Sequence, residues 1–252
     1  MPIPRWWRPF LGWCIHFYTA LGLVAAAAIA VLLVHGGAEA FRRAFLLMAA
    51  ATLIDATDGA LARWVRIKEV LPGFDGRRLD DLVDFLNYTF LPLLLIWRAG
   101  LVPENAALVL LLPLLASAYG FCQTWAKTDD GYFLGFPSYW NVAAFYLYTL
   151  QPPAWLALGV VVAFALLTFV PSRYLYPSQR GKLNRATALL GAAWAALLGW
   201  ILWTMPAGPT LPLALLSLIY PIWYLGASWI ISVRFWRRKR RRRGDRMDAV
   251  LS

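Results

Sequence analysis

Seven of the thirteen carboxylates in this chain lie in one stretch of thirty residues, 55–84, within an otherwise apolar sequence. They are Asp55, Asp58, Glu69, Asp75, Asp80, Asp81 and Asp84. A carboxylate at membrane depth costs roughly 2.5 to 3.5 kcal/mol on insertion scales, so such a cluster is expected to face a cation, a partner group or a polar cavity. This stretch is therefore the first place to look for chemistry.

Helical spacing would bring several of these acids together. Four residues fall on one stripe of a helix, at i, i+3, i+4 and i+7: Asp55, Asp58, Gly59 and Ala62. Asp80 and Asp84, at i and i+4, form a second stripe on the next helix. Two such stripes facing each other would surround a small volume with four carboxylates, which suits one or two divalent cations with oxygen-only ligands.

The residues between the acids favour a ligand that carries phosphate. Gly59 and Ala62 leave the first stripe without bulk, so a large or flat group could approach the backbone there. Arg63, one turn beyond Gly59, is placed to pair with a phosphate. The alternative interpretation is a set of buried ion pairs between the acids and four nearby arginines: Arg63, Arg66, Arg77 and Arg78.

The complete pattern is Asp-x2-Asp-Gly-x2-Ala-Arg, then twelve residues, then Gly-x3-Asp-x3-Asp. It resembles the signature of the CDP-alcohol phosphotransferases and matches it at every fixed position. The resemblance implies that family's fold, with a polar cavity on the cytoplasmic side, and a divalent cofactor, Mn²⁺ or Mg²⁺. It implies that Asp55, Asp58 and Asp80 hold the ions, and that Asp84 completes the site and acts as the general base. It assigns the cytidine and pyrophosphate to Gly59, Ala62, Arg63 and Gly76.

The composition is that of a polytopic membrane protein. The chain is 61% hydrophobic and 15% charged over 252 residues, which is too apolar for an ordinary soluble domain. Apolar segments of spanning length occur near 11–34, 41–62, 82–97, 105–126, 154–172, 187–205 and 210–233, with a shorter one near 138–151. We therefore predict an all-α integral membrane protein of about eight transmembrane helices, or seven if the short segment is re-entrant. Residues 1–236 would form the catalytic domain and 237–252 a basic cytoplasmic tail.

The basic residues predict the orientation. With eight spans and both termini cytoplasmic, 21 of the 24 Lys and Arg residues lie on cytoplasmic segments, leaving Arg42, Arg43 and Arg98 outside. The acidic stretch then lies at the cytoplasmic ends of spans two and three. The basic run 237–243 directly follows a span, so we expect it to meet anionic lipid headgroups rather than nucleic acid.

Other classes of site are not indicated. Cys14 and Cys122 lie in apolar segments without metal-type spacing, so the sequence predicts neither a disulfide framework nor a zinc site. The first apolar segment is too long for the core of a signal peptide, and we expect it to be retained as a span.

Span one carries His16, Thr19 and Gly22 on one stripe. A lone His on an apolar helix is usually a core residue; the alternative hypothesis is that His16 and Thr19 line the cavity and hydrogen-bond the nucleotide. The aromatic loop 127–141 is open to two interpretations as well. It is either an interfacial anchor or part of a box for a quaternary ammonium group, where cation–π attraction is worth about 0.5 to 2 kcal/mol per ring.

A narrower resemblance, to bacterial phosphatidylcholine synthases, is carried by four segments within the first 180 residues. They are His16-x2-Thr19-Ala20-x-Gly22, Arg66-x-Lys68-Glu69-Val70-Leu71-Pro72, Lys127-Thr128-Asp129 and Gly135-Phe136-Pro137-x2-Trp140-Asn141. This resemblance implies transfer of the phosphatidyl group of CDP-diacylglycerol to choline, giving phosphatidylcholine and CMP. It also implies a homodimer in the bacterial inner membrane. For the choline pocket we predict Tyr88, Tyr119, Trp140 and Asn141.

No Ser, Cys or His nucleophile with a paired base is evident in the sequence, which favours metal-assisted in-line displacement over a covalent intermediate. Two alternatives stay open. One keeps this chemistry but uses serine, glycerol 3-phosphate or inositol phosphate as the acceptor. The other is a cation-binding transporter or lipid-binding membrane protein without turnover, against which Gly59, Ala62 and Arg63 argue, because ion transport needs no nucleotide-sized gap.

Overall fold

The computed structural model describes residues 6–126, 128, 131–175, 182–205, 208 and 210–251, and it is mostly helical. The elements in chain order are α1 (Arg8–His35), α2 (Ala38–Val65), α3 (Ile67–Val70), α4 (Gly76–Asp84), a π-helical segment (Phe85–Phe90), α5 (Leu91–Arg98), a 3₁₀ segment (Glu104–Leu110), α6 (Leu111–Cys122), β1 (Tyr132–Leu134), α7 (Trp140–Leu150), α8 (Ala154–Phe169), β2 (Arg173–Leu175), α9 (Lys182–Thr204), α10 (Thr210–Ser217) and α11 (Ile219–Leu251). The predicted all-α class is confirmed, with one short pair of strands added to it. Two residues of the resemblance to phosphatidylcholine synthases, Lys127 and Asp129, lie outside the described residues. So do the side chains of the basic tail beyond Arg238.

The helices α1 and α2 form an antiparallel hairpin that starts the bundle. Pro9 lies in the first turn of α1, where its missing N–H costs no hydrogen bond. Gly36 ends α1 with φ of 71°, and its N–H bonds to the carbonyl of Leu32. Gly37, with φ of 91°, completes the turn. Each helix has 28 residues, or about 42 Å at 1.5 Å per residue, so each is long enough to cross a bilayer.

A short connection carries the chain from α2 to α4. Pro72 and Gly73 interrupt the helix after α3, and Asp75 starts the next one as its N-cap. Its Oδ1 accepts hydrogen bonds from the backbone N–H groups of Arg77, at 3.2 Å, and Arg78, at 3.4 Å. Because the connection is short, the ends of α2 and α4 that carry the acids remain near each other.

A π-helical segment interrupts the third membrane segment directly after Asp84. Pro92 lies just beyond it, in the first turn of α5, and cannot donate the N–H that would close an α-turn onto the carbonyl of Tyr88. The wider π turn accommodates this loss, and such turns are frequent at functional sites. Asn87 is buried in the segment, and its Nδ2 donates to the carbonyls of Gly22 (3.1 Å) and Val83 (2.9 Å).

Two loops at the acid-bearing end of the bundle pair as an antiparallel ribbon. Tyr132 lies opposite Leu175, Phe133 opposite Tyr174 and Leu134 opposite Arg173. The sequence predicts loops at both places. The pairing was missed because it depends on contact between two segments that the chain separates by two helices.

The strand β2 is held against α11 by hydroxyl groups. Ser232 Oγ accepts a hydrogen bond from the Arg173 N–H at 2.7 Å, and Ser228 Oγ accepts one from the Leu175 N–H at 3.3 Å. The Tyr224 hydroxyl donates to the Leu175 carbonyl at 2.9 Å. The ribbon and the last helix therefore form one connected unit at this end.

At the opposite end, two arginines bond to carbonyls at the ends of helices. Arg98 donates from Nε to the carbonyl of Leu33 at 2.9 Å and from Nη2 to that of Val34 at 3.1 Å, near the end of α1. Arg42 reaches the end of α9 in the same way: its guanidinium bonds to the carbonyls of residues 202 and 203 at 2.8 and 3.1 Å. Cations at the carbonyl end of a helix also interact favourably with the helix dipole.

The surface of the bundle is apolar, as a lipid-facing surface must be. Many large apolar side chains are exposed; Leu108, for example, is 80% exposed and Leu189 is 74% exposed. A soluble protein rarely exposes such large apolar patches. Within the described residues, five helices are long and apolar enough to cross a membrane: Arg8–His35, Ala38–Val65, Glu104–Cys122, Arg185–Thr204 and Thr210–Arg238. The helix Ala154–Phe169 is shorter, and α7 has 11 residues. The chain is therefore a multi-pass membrane protein, and helix length alone does not fix the number of crossings at eight.

Candidate functional site

Three carboxylates from two helices converge at one end of the bundle. One oxygen from each of Asp55, Asp80 and Asp84 lies within 4.8 Å of the others, and all three side chains are partly buried. Asp80 and Asp84 are one turn apart on α4, and Asp55 faces them from α2. This confirms that the two predicted stripes meet, for three of the four acids. These three residues are called the acid triad below.

Asp58 lies outside the acid triad and is 6% exposed. Its Oδ2 accepts a hydrogen bond of 2.7 Å from the Oγ1 of Thr19, on α1. The sequence places Asp58 on the same stripe as Asp55, but it does not show that a hydroxyl from α1 would face it. A direct role for Asp58 as a metal ligand stays a prediction.

Tyr88 reaches the acid triad from the π-helical segment. Its hydroxyl donates to Asp55 Oδ2 at 2.8 Å, and the side chain is partly buried. The sequence predicts Tyr88 for the choline pocket and places it one turn beyond Asp84 on the same face. Its hydrogen bond to a member of the triad is an additional finding.

The nearby arginines do not all behave as the ion-pair interpretation requires. Arg66 pairs with Glu69 at 3.9 Å and Arg78 pairs with Asp75 at 3.2 Å, and these four side chains are more than half exposed. Such exposed pairs contribute little to stability. The alternative of buried ion pairs with the acids is therefore wrong for Arg66 and Arg78.

Gly59 provides room for the Arg63 side chain. A Cβ added at Gly59 would lie 3.3 Å from Nη1 of Arg63, so the guanidinium folds back over the bare turn of α2. Arg63 is exposed, and Ala62 beside it is partly buried. Gly59 and Ala62 therefore form a surface without bulky side chains, beside the acids on the same helix. The guanidinium group of Arg63 covers this surface.

The ring of His16 packs closely against the backbone at Gly76. A Cβ on Gly76 would lie 2.5 Å from Cε1 of His16, so the ring packs directly on the start of α4. His16 is 6% exposed, and its ring lies 4.3 Å from that of Phe74 and 6.0 Å from that of Trp13, centroid to centroid. Its Nε2 is buried and has no hydrogen-bond partner among the described residues. The ring thus has the surroundings of a core residue, and its contact with the nucleotide stays a prediction.

The remaining candidates for the choline pocket differ in the solvent exposure of their side chains. Tyr119 is 46% exposed; its hydroxyl accepts a hydrogen bond from Gln123 at 2.6 Å, and its ring lies 5.1 Å from that of Phe169. Asn141 is partly buried, and its Oδ1 accepts a hydrogen bond from the N–H of Val142 at 2.9 Å. Both keep at least part of the side chain accessible.

Trp140 does not fit the predicted choline contact. It is 0% exposed, and its Nε1 donates to Ser117 Oγ at 2.8 Å. Its ring packs against those of Phe136 and Phe164, with centroids 6.1 and 6.5 Å away. A fully buried indole has no face to offer a ligand, so this part of the sequence-based hypothesis is corrected: Trp140 is a core residue.

Comparisons with known proteins give a consistent result. The phosphatidylcholine synthase of Pseudomonas aeruginosa is 31% identical over 229 residues, which cover 90% of this chain and 92% of that protein. The enzymes of the same name from Legionella pneumophila and Bradyrhizobium diazoefficiens are each 38% identical, over 71% and 81% of this chain and 70% and 76% of their own lengths. No protein-family model matches the chain.

The chain belongs to the phosphatidylcholine synthase family. Its membership confirms both resemblances found in the sequence, to the CDP-alcohol phosphotransferases as a whole and to phosphatidylcholine synthases within them. The chain is therefore a phosphatidyltransferase.

The acid triad has a donor set that fits a divalent cation. Its three ligands are all carboxylate oxygens, which are the ligands preferred by Mg²⁺ and Mn²⁺, and they lie close enough together to share one ion. Hard oxygen donors do not select between these two metals.

Asn87, next to Tyr88 in the π-helical segment, is a buried polar residue that the sequence does not single out. It is 2% exposed and joins the π-helical segment to α1 through the carbonyl of Gly22. The signal was present in the sequence, since a buried polar side chain in an apolar segment requires a specific partner. What the sequence did not show was that this partner is a backbone carbonyl on another helix.

Proposed function

We propose that this chain synthesises phosphatidylcholine by transferring the phosphatidyl group of CDP-diacylglycerol to choline, with release of CMP. The observation that carries the proposal is the convergence of Asp55, Asp80 and Asp84 at one end of an apolar helical bundle. Relatives that cover most of the chain and bear the name phosphatidylcholine synthase support this choice of substrates.

The residues of the site suit an in-line displacement. Asp55, Asp80 and Asp84 would hold the divalent cation, with Asp58 as a further ligand, and the bound ion would neutralise charge on the phosphate oxygens. Arg63 pairs with the pyrophosphate beside Gly59, and Ala62 leaves room for the nucleotide. These roles assign a task to each fixed residue of the first half of the motif.

Proton transfer and bond changes can then be written for the whole step. Asp84 accepts the proton of the choline hydroxyl as its oxygen attacks the phosphorus next to diacylglycerol. The new oxygen–phosphorus bond forms while the bond from that phosphorus to the bridging oxygen breaks, and CMP leaves with the bridging oxygen. The products are phosphatidylcholine and CMP.

Choline carries a fixed positive charge and no phosphate, so its pocket needs aromatic faces and negative charge rather than basic residues. Tyr88, which bonds to Asp55, and Tyr119, which is 46% exposed beside Phe169, support such a pocket. We propose that these two rings and the amide of Asn141 contact choline.

We further propose that the protein crosses the bacterial inner membrane eight times with both termini in the cytoplasm, as a homodimer. The acid triad, the β1–β2 ribbon and the hydroxyls of α11 would form the cytoplasmic end, and Arg42 and Arg98 the outer end. A crossing by α7 is supported by its last turn, where the ring of Tyr148 lies 5.9 Å from that of Phe41, next to Arg42.

The test is an acceptor panel with the purified full-length protein. CDP-diacylglycerol and Mn²⁺ are supplied with labelled choline, serine, glycerol 3-phosphate or inositol phosphate in turn, and lipid product and CMP are both measured. We expect one CMP per phosphatidylcholine with choline, loss of turnover with EDTA, and recovery on adding Mn²⁺ back. Product formed with serine but not with choline would identify serine as the acceptor. No CMP release under any condition would overturn the proposal in favour of a cation-binding membrane protein.

A further inference from the structure

Two hydroxyl groups from different helices donate to Asp55 and Asp58, the two aspartates of α2. Thr19 on α1 donates to Oδ2 of Asp58 at 2.7 Å in a buried contact, and Tyr88 in the π-helical segment donates to Oδ2 of Asp55 at 2.8 Å. Thr19 is 7% exposed, and Tyr88 is partly buried. Each acid thus has one oxygen oriented by a hydroxyl that the sequence motif does not contain.

We propose that Thr19 and Tyr88 are positioning residues that fix the orientations of Asp58 and Asp55 for the divalent cation, an inference that rests on the proposed function. A carboxylate has two oxygens, so a hydrogen bond to one oxygen leaves the other able to bind a metal. Partners of metal ligands orient those ligands, and removing them typically costs about tenfold to hundredfold in metal affinity or activity.

The frame around the two hydroxyls is rigid enough for this task. Gly22, one turn beyond Thr19, packs so closely on Val83 that an added Cβ would overlap the valine side chain. Asn87, next to Tyr88, bonds to the Gly22 carbonyl. These contacts fix α1 against the third membrane segment, and the two hydroxyls are therefore held at a set position relative to each other.

Tyr88 lies where the third membrane segment departs from α-helical geometry. A π turn contains one more residue than an α turn, so it changes the face on which the following side chains lie. Tyr88 lies within the segment Phe85–Phe90, and its ring faces Asp55 across the gap to α2. The segment and the hydrogen bond together support a specific role for this ring beside the acids.

The experiment uses the full-length protein in detergent and four variants. Tyr88→Phe and Thr19→Val remove the two donors, and Thr19→Ser keeps one of them. Tyr18→Phe is the matched control, because the Tyr18 hydroxyl also joins α1 to α2, through Thr57 Oγ1 at 2.9 Å, without touching an acid of the site. Binding of Mn²⁺ in the absence of substrate is measured from the electron paramagnetic resonance signal of the unbound ion. Choline KM, kcat at saturating Mn²⁺ and the melting temperature are measured alongside.

We expect Tyr88→Phe and Thr19→Val to weaken Mn²⁺ binding about tenfold or more, while Thr19→Ser and Tyr18→Phe bind within about twofold of the unmodified protein. Folded Tyr88→Phe and Thr19→Val proteins with unchanged Mn²⁺ affinity would overturn the inference, as would a Tyr88→Phe protein that changes only the choline KM. If the unmodified protein binds Mn²⁺ but makes no lipid, the proposed function fails, while the positioning role is still judged from the binding data.

Discussion

Asp84 and Asp81 are three residues apart on α4 and lie in different surroundings. Asp84 is partly buried and shares a volume with Asp55 and Asp80, whereas Asp81 is exposed. The difference follows from helical periodicity. Asp80 and Asp84 are four residues apart and share a face of the helix, whereas Asp81, one residue after Asp80, lies well away from that face. The position of each acid therefore distinguishes a candidate base from a surface residue of the same type.

Replacing Asp84 by Asn should remove most of the turnover and leave a folded, membrane-inserted protein. Asn has nearly the same size but cannot take a proton from choline, and general-base catalysis is typically worth about 10²- to 10⁴-fold. The measurement is kcat for CMP release at saturating choline and Mn²⁺, with the melting temperature as the folding check. Asp81→Asn is the control and should change kcat by no more than about twofold. Near-normal turnover by Asp84→Asn would refute its role as base.

Replacing Trp140 by Phe should lower stability and leave choline recognition intact. The change leaves the buried Ser117 hydroxyl without its indole donor, which costs about 1 to 3 kcal/mol. Thermal unfolding in detergent should show a lower melting temperature, while the choline KM stays within about twofold. An increased choline KM at an unchanged melting temperature would instead support the sequence-based role of the ring.

Residue types and spacing predicted the acid triad well but predicted its partners poorly. The positions of Asp55, Asp80 and Asp84 follow from helical periodicity and a short connection, and both can be read locally. The hydrogen bond from Thr19 to Asp58 depends on how two helices pack, for which a single sequence has no local signal. For the same reason Trp140 could be assigned to a ligand box, since an aromatic residue near a predicted loop can be a core residue or a binding residue.

At the scale of elements, the contact between α1 and the third membrane segment determines how the site is assembled. Gly22 and Val83 are in close contact, and Gly76 is in contact with the ring of His16. Small residues let helices approach closely in membranes, where packing rather than the hydrophobic effect drives association. The distance between α1 and α4 is therefore set by residues without side chains.

Replacing Gly22 by Ala should destabilise the protein, because the new Cβ would overlap Val83. Overpacking of this kind costs about 1 to 3 kcal/mol and should lower the melting temperature in detergent. Val83→Ala in the same chain removes the overlap and should recover most of the loss.

The matched control for Gly22→Ala is Gly159→Ala in α8, where an added Cβ would meet nothing within 4 Å. This variant should be neutral or slightly stabilising, since Ala is favoured over Gly inside a helix. A melting temperature for Gly22→Ala equal to that of Gly159→Ala would contradict the close contact.

The elements themselves were predictable only in part. Runs of apolar residues located helices in all eight predicted segments, because each run exceeds what a loop would contain. The π-helical segment was not predicted: Pro92 marks a disturbance in the helix, but the sequence does not say whether the chain bends, breaks or widens there. The β1–β2 ribbon was also missed, since three-residue strands have too little sequence to show a period.

At the scale of the molecule, the two ends of the bundle are chemically different. One end holds the acid triad and the ribbon on α11, and the other holds the guanidinium groups of Arg42 and Arg98 against helix carbonyls. The predicted orientation assigns the first end to the cytoplasm. The short helix α7 decides whether the crossings number eight or seven, because its 11 residues cover only about 16 Å as a helix.

Single cysteines and a membrane-impermeant maleimide can test this topology. Cys14 and Cys122 are exposed and are first replaced by Ser. New cysteines are then placed at the exposed positions Glu69, Glu104 and Pro153. With eight crossings, Glu104→Cys and Pro153→Cys label from outside the inner membrane, and Glu69→Cys labels only after lysis. Labelling of Pro153→Cys only after lysis would make α7 re-entrant.

In the predicted orientation, the guanidinium groups of Arg42 and Arg98 lie at the outer end of the bundle and affect how the chain keeps its orientation. Arg42 and Arg98 each bond to two main-chain carbonyls, and Arg43 pairs with Glu39 at 2.8 Å. Guanidinium groups that already donate to main-chain carbonyls have fewer N–H donors left for phospholipid headgroups on that side. If the predicted orientation holds, the two leaflets therefore differ more in their attraction for this chain than a count of Lys and Arg suggests, and the folded chain should resist inversion more strongly than its sequence alone would indicate.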